Sequence, residues 1–128
     1  MRNNSVVTIL ITLMLITISL PLVSASVSVS LSASPTSQAA SSGDDATYTI
    51  TVSNSGDDDA TVSLSTSQAA ECNGYTSSLA DQVLTVNGGS SETTELTVSL
   101  SDTAGDSCET TVSATAVGAT PGDQDTDT

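Results

Sequence analysis

The sequence contains a single basic residue, Arg2, and has no histidine, phenylalanine or tryptophan. Without histidine or lysine, the chain lacks the bases that activate a serine or cysteine nucleophile, so Ser-His-Asp, Cys-His and Ser-Lys catalysis are excluded. Nucleic acids and anionic membranes are also poor partners, because proteins bind both through Lys and Arg. These absences predict a protein that is not an enzyme.

Chemistry based on carboxylates finds little support either. Asp102 and Thr103 are followed by Ala104 and not by the glycine that an aspartic-protease triplet requires. A carboxylate pair for glycoside hydrolysis needs a concave site, for which so small a chain has little room beside its core. Gly88-Gly89 is followed by serines and not by the lysine of a phosphate loop, and it is typical of a turn. We predict no catalytic residues and no cofactor.

The first 25 residues have the layout of a secretory signal peptide. Arg2 stands in a short polar start, residues 6–22 form an uncharged apolar run, and Val23-Ser24-Ala25 supplies small residues for cleavage. The alternative is an uncleaved membrane anchor, but as a helix this run spans roughly 25 Å, less than the ~30 Å hydrocarbon core. We predict a signal peptide at 1–25, an extracellular or cell-surface location, and no membrane insertion of the mature chain.

All 15 carboxylates follow residue 25, so the chain's formal charge of −14 becomes −15 without Arg2. So high a charge on one small domain repels itself in dilute buffer. One interpretation is adaptation to high salt, where screening over ~3 Å at 1 M removes the repulsion. The other is that some carboxylates bind calcium. The absence of cations along the whole mature chain favours adaptation to salt.

Two cysteines in an exported chain predict a disulfide. A bond between Cys72 and Cys108 closes a loop of 36 residues, which on the chain-entropy model contributes roughly 4 kcal/mol. Intermolecular pairing is the alternative that remains open. An intrachain bond is favoured because the core has only aliphatic residues and two tyrosines, Tyr48 and Tyr75, and needs added stability.

Apolar and polar residues alternate with a period of two after Ala25, and no segment shows helical periodicity. The pattern predicts an all-β fold, an immunoglobulin-like antiparallel β-sandwich of six to seven strands. Splitting residues 75–86 into two reversing strands would put the cysteines at opposite ends, so we predict one strand kinked near Asp81. The predicted strands are 26–33, 46–52, 60–64, 75–86, 94–100 and 108–116, with a loop at 66–74.

If each strand reverses direction, the loops fall alternately at the two ends of the sandwich. One end then collects five carboxylates, whereas Asp57, Asp58 and Asp59 lie at the other, roughly 25 Å away. Five carboxylates can chelate a hard cation such as calcium, but solvated acidic loops are the simpler interpretation. The candidate calcium ligands are Asp44, Asp45, Glu71, Asp102 and Asp106.

The chain from Gly118 onward reads GATPGDQDTDT. Glycine, proline and acidic residues without apolar periodicity are typical of disorder. We therefore predict three segments, a signal at 1–25, an Ig-like domain at 26–117, and an acidic disordered tail at 118–128.

One stretch, GDDATYTITVSNSGDDDATVSLS at 43–65, resembles a motif of bacterial and archaeal Ig-like modules. A Gly-acid turn, a T-x-T-V strand and an Asn-x-Gly turn lead into a second alternating strand. An aromatic-led segment at Tyr75, a glycine turn at 87–89 and the strand ELTVSL at 95–100 follow. The whole is similar to cell-adhesion-related Ig-like domains and to the Ig-like domain associated with alpha-galactosidases. The resemblance implies a spacer or adhesive unit without catalytic residues.

Two functions are consistent with these features. The first is a secreted, acidic, non-enzymatic Ig-like module with a structural or adhesive role at the cell surface. The second is a self-assembling subunit of an extracellular filament, joined by β-strand addition through the first strand, 26–33. The expected partners are other surface or extracellular proteins in the first case and further copies of the chain in the second.

Overall fold

A computed structural model describes residues 26–105, 107–119, 122 and 124–128, so the predicted signal peptide lies outside the described residues. The described chain forms eight strands and contains no helix. The all-β prediction is confirmed, with more strands than the six to seven expected. The strands are β1 (Val29–Ser34), β2 (Asp45–Asn54), β3 (Ala60–Gln68), β4 (Tyr75–Leu79), β5 (Val83–Val86), β6 (Ser91–Leu100), β7 (Thr110–Gly118) and β8 (Gln124–Asp127).

Two antiparallel sheets of four strands form the predicted β-sandwich. The first sheet has the order β1-β2-β6-β4 and the second has the order β5-β3-β7-β8. Because side chains alternate between the faces of a strand, every second residue of the central strands points between the sheets. Together with residues at and before the edge strands β1 and β5, they form the main core cluster, which contains Val27, Val29, Val52, Ala60, Val62, Leu64, Val86, Ala114 and Ala116.

The predicted kinked strand at 75–86 changes sheets at its kink. Its first half, β4, pairs with β6, and its second half, β5, pairs with β3 while continuing in the same direction. The crossing is completed between Ala80 and Gln82, since Ala80 N–H still donates to Glu95 of β6 at 2.9 Å and the Gln82 carbonyl already accepts from Leu64 of β3 at 2.8 Å. The direction and the kink are as predicted, but the two halves are separate strands.

β3 is longer than its apolar pattern indicates. The sequence predicted a loop from Thr66, but the strand continues to Gln68 and pairs with β7 over its full length. Backbone pairing to a neighbouring strand needs no apolar side chain. The predicted turn at Asn87–Gly89 is present, and Gly89 has a φ of 69°, which glycine adopts without strain.

The prediction of a disordered tail is wrong for Gln124–Asp127. This segment forms β8 and pairs with the outer side of β7 over residues 114–117. Its carboxylates also reach the first sheet, where Asp125 Oδ2 accepts from Val29 N–H at 2.7 Å and Asp127 Oδ2 accepts from Leu31 N–H at 2.6 Å. Backbone pairing and these two bonds hold a strand that contains no apolar residue.

The bond from Leu31 N–H, helped by the backbone of Thr128, lowers the pKa of Asp127 below the ordinary aspartate value, while partial desolvation opposes the shift. A lowered folded-state pKa gives stability that is present above the unfolded-state pKa and is lost as the pH falls through the folded-state value. We therefore expect the Leu31 amide proton, followed by NMR, to titrate with a midpoint below that of an ordinary aspartate. Asp127→Asn should abolish this titration, whereas a midpoint at or above the ordinary value would contradict the bond.

No helix in the described part of the chain is long and apolar enough to cross a membrane.

Candidate functional site: a cleft beside the open edge of β7

The predicted disulfide is present. Cys72, in the connection between β3 and β4, is bonded to Cys108, just before β7, with their Cα atoms 4.9 Å apart. The register that pairs Gln68 with Thr110 brings the two cysteines to the same end of the second sheet. We call this end of the sandwich the disulfide end.

The structure places four of the candidate calcium ligands at the disulfide end, and the fifth, Asp106, lies outside the described residues. Asp44 adjoins the last residue of β6, because Leu100 N–H donates to its carbonyl at 3.1 Å. An Asp102 carboxylate oxygen lies 3.2 Å from where a Cβ on Gly43 would be. Among the described residues, no three or more His, Cys, Asp or Glu side chains lie where they would hold a metal ion.

A large cleft opens between the two sheets at the disulfide end. Its volume is about 1020 Å³, although the sequence predicted little room for a concave site. Its lining comes from the first sheet, the connection after β1, the start of β7, Glu71 and Thr128. The first sheet contributes Leu31, Ser32, Ala33, Ala46, Tyr48, Ile50, Tyr75, Leu96, Val98 and Leu100, and the β7 side contributes Ser107, Cys108, Glu109, Thr110, Thr111 and Val112.

The cleft exists because both outer strands on this side stop short of the disulfide end. β1 ends at Ser34, opposite Thr49, so within the described residues the first four residues of β2 have no strand partner on that side. The connection after β1 replaces the strand there, and the Gln38 side chain accepts a bond from Thr47 N–H at 3.0 Å. In the second sheet, β8 ends opposite Ala114. Within the described part of the chain, no strand covers the outer side of the start of β7, and Thr128, which follows β8, lines the cleft there.

The start of β7 is paired on one side only. Its bonds to β3 cover residues 110–118, whereas its bonds to β8 cover residues 114–117. Among the described residues, no strand pairs with the outer side of residues 110–113, which we call the open edge. The Glu109 carbonyl accepts from Ala69 on the β3 side at 3.1 Å. In an antiparallel strand, the backbone N–H and C=O groups of successive residues point alternately to the two sides. Since those of Glu109 point to β3, those of Thr110 and Val112 point outward, towards the cleft.

The floor of the cleft is apolar. Ile50, Leu96 and Val98 form a second buried cluster, separate from the main core. Partly buried side chains surround this cluster. One of them, Tyr75, is held in place because its hydroxyl donates a hydrogen bond to the Gly105 carbonyl at 2.6 Å. The partly buried set comprises Leu31, Tyr48, Tyr75, Leu79, Leu100 and Val112.

The cleft has a negative rim. Glu71 and Glu109 both contribute to the lining, and the sequence places no cation after Arg2 to neutralise them. The disulfide leaves no free cysteine among the described residues. An apolar floor, unpaired backbone groups and acidic walls are features that suit an extended ligand.

Sequence analysis missed the open edge and the cleft. The sequence did contain an indication of the cleft, in the different apolar content of segments that face each other across the two sheets. The start of β7 reads Thr110-Thr111-Val112, whereas the strands opposite carry Tyr48, Ile50, Leu96 and Leu100. Apolar residues on one sheet without matching apolar residues on the other indicate a gap between them.

In comparisons with known proteins, no protein-family model and no curated protein matches this chain.

Proposed function

We propose that the protein is a secreted, acidic, non-enzymatic Ig-like module with a structural or adhesive role at the cell surface. The observation that carries this proposal is the open cleft at the disulfide end, which offers a binding surface and contains no catalytic pair. Sites of this kind act by recognition of another molecule. The module then contributes by holding a partner in place.

The Ig-like part of the proposal is supported by the order of the strands. In a constant-type immunoglobulin sandwich, the strands A to G form one sheet of order A-B-E-D and one of order C-F-G. With β5 set aside, β1-β2-β6-β4 corresponds to the first order and β3-β7-β8 to the second. β5 adds a strand beside the equivalent of strand C.

Export is supported by two features. Residues 1–25 have the order of a signal peptide. The disulfide between Cys72 and Cys108 is of the kind that persists in oxidising compartments outside the cytosol.

Deletion of the gene tests the adhesive role. Cells that lack the protein should lose attachment to a surface or to one another, and the full-length gene should restore it. A version without residues 2–25 should fail to restore attachment because it is not exported. The proposal is contradicted if deletion leaves attachment unchanged, or if the protein is recovered inside the cell with free thiols.

The alternative is a subunit of an extracellular filament joined by β-strand addition, and the open edge of β7 favours it. The first strand, which the sequence suggested as the donor, is paired with β2, and carboxylates of β8 bond to its outward N–H groups. A filament route through β1 therefore requires that strand to leave its own domain. Light scattering and electron microscopy in concentrated salt distinguish the two functions, since a monomer excludes the filament and ordered fibres exclude a monomeric module.

A further inference from the structure

We propose that the cleft binds an extended segment of a basic partner protein, in which apolar residues alternate with lysine or arginine, and that this segment pairs with the open edge of β7. The inference rests on the proposed binding role and adds the chemistry of the partner. Three features of the cleft lead to it.

The first feature is the unpaired backbone. Thr110 and Val112 direct N–H and C=O groups to the outer side of β7, where β8 pairs only with residues 114–117 and Thr128 lines the cleft beside them. Such an edge binds an extended peptide through main-chain hydrogen bonds. The open edge is four residues long, which at about 3.3 Å a residue gives a length of roughly 13 Å.

The second feature is the apolar floor. A strand paired with the open edge continues the second sheet, so every second side chain points towards the first sheet. There it meets the buried cluster of Ile50, Leu96 and Val98 and the partly buried Tyr48 and Leu100. Apolar residues at alternate positions of the incoming strand are therefore selected. β8 has no such residues, which is consistent with its position outside this part of the cleft.

The third feature is the charge. Glu71 and Glu109 line the cleft, and the mature chain has 15 carboxylates and no lysine, arginine or histidine. A basic segment is steered towards such a surface and bound by it, whereas an acidic one is repelled. Alternation with a period of two places the basic residues on the opposite face of the incoming strand from the apolar ones.

Charge also argues against a second copy of this chain as the occupant. Each mature chain carries a formal charge of −15, and side-by-side pairing brings two such surfaces together. The most apolar candidate donor, β1, already contributes Val29 to the main core of its own domain. Self-association is therefore an outcome for the test to examine and not the proposal.

The test uses mature protein purified from the secreting cells and three synthetic peptides. KVKLKVK has the proposed alternation, KKVLVKK has the same composition without it, and EVELEVE has the alternation with the opposite charge. We expect KVKLKVK to bind at least tenfold more tightly than either of the others and to slow hydrogen exchange at the Thr110 and Val112 amides. Methylation of all backbone nitrogens of KVKLKVK should abolish this protection, because the methyl groups remove the peptide's own donors and prevent close pairing through either edge.

Two variants of the protein complete the test. Val112→Pro removes an outward N–H that no described strand uses and should abolish binding of KVKLKVK. The pair Glu71→Gln and Glu109→Gln keeps the backbone intact and should weaken binding several-fold at the lowest salt concentration in which both proteins stay folded, which provides an independent readout if the proline variant fails to fold.

Equal binding of KVKLKVK and KKVLVKK, or protection elsewhere than residues 110–113, would overturn the inference. So would protection of the Thr110 and Val112 amides that appears without peptide and increases with protein concentration, which assigns the edge to a second copy. If cells that carry folded Val112→Pro still attach normally, this inference fails while the adhesive role stands.

Discussion

Replacement of Cys72 and Cys108 together by alanine is expected to lower the free energy of unfolding by about 4 kcal/mol. The bond closes a loop of 36 residues, and without it the unfolded chain regains the entropy of that loop. A typical domain has a total stability of about 5–15 kcal/mol. The interior here contains no Phe or Trp, so we expect the loss to leave much of the chain unfolded at moderate temperature.

Urea denaturation in concentrated salt measures this effect, because salt screens the repulsion among the carboxylates. A reducing agent should destabilise the native protein by a similar amount and should have no effect on the double alanine variant. Equal midpoints for the oxidised protein and the double variant would show that the bond contributes nothing to stability.

Asn54→Ala is expected to cost about 3 kcal/mol, because its buried side chain makes four hydrogen bonds to backbone groups. Asn54 is 1% exposed. Its Oδ1 accepts from Ser28 N–H at 3.2 Å and from Gly56 N–H at 3.1 Å, and its Nδ2 donates to the carbonyls of Asp58 at 2.7 Å and Val86 at 3.3 Å. The side chain thus connects the start of the described chain, the β2–β3 turn and β5, and alanine leaves all four groups without this partner.

Asn87→Ala is the matched control for this prediction, because Asn87 is exposed in a turn. It should change stability by less than about 0.5 kcal/mol. Thermal and urea melting of both variants in the same high salt provide the comparison. Similar small effects for the two asparagines would contradict the role of Asn54 in joining the sheets.

The sequence predicted the long strands and the disulfide for a clear physical reason. Residues such as Val62 and Leu64 alternate with polar neighbours, and a strand buried on one face requires this period of two. Antiparallel reversal of the strands decides at which end of the sandwich each loop lies, so the sequence predicted Cys72 and Cys108 at the same end. Asn54 was recognised only as part of a turn, because its other partners, Ser28 and Val86, lie far away in sequence.

The short strands and the cleft depend on contacts that local pattern does not encode. β8 is a run of Gln, Asp and Thr that becomes a strand only because the outer side of β7 offers it partners. The cleft depends on where two outer strands end, and the sequence near Ser34 and Asp127 has no apolar signal for those ends, so only the mismatch between residues that face each other across the sheets indicated a gap. Pairing between distant segments decides both features.

Residue-by-residue hydrogen exchange on β7 in concentrated salt tests the central claim, which is that one half of this strand is paired on both sides and the other half on one side. Without any peptide, the amides of Ala114 and Ala116, which face β8, should exchange at least ~100-fold more slowly than those of Thr110 and Val112. Thr111 and Ser113, which face β3, should be protected. Equal protection of all six amides would contradict the open edge and the binding proposal built on it.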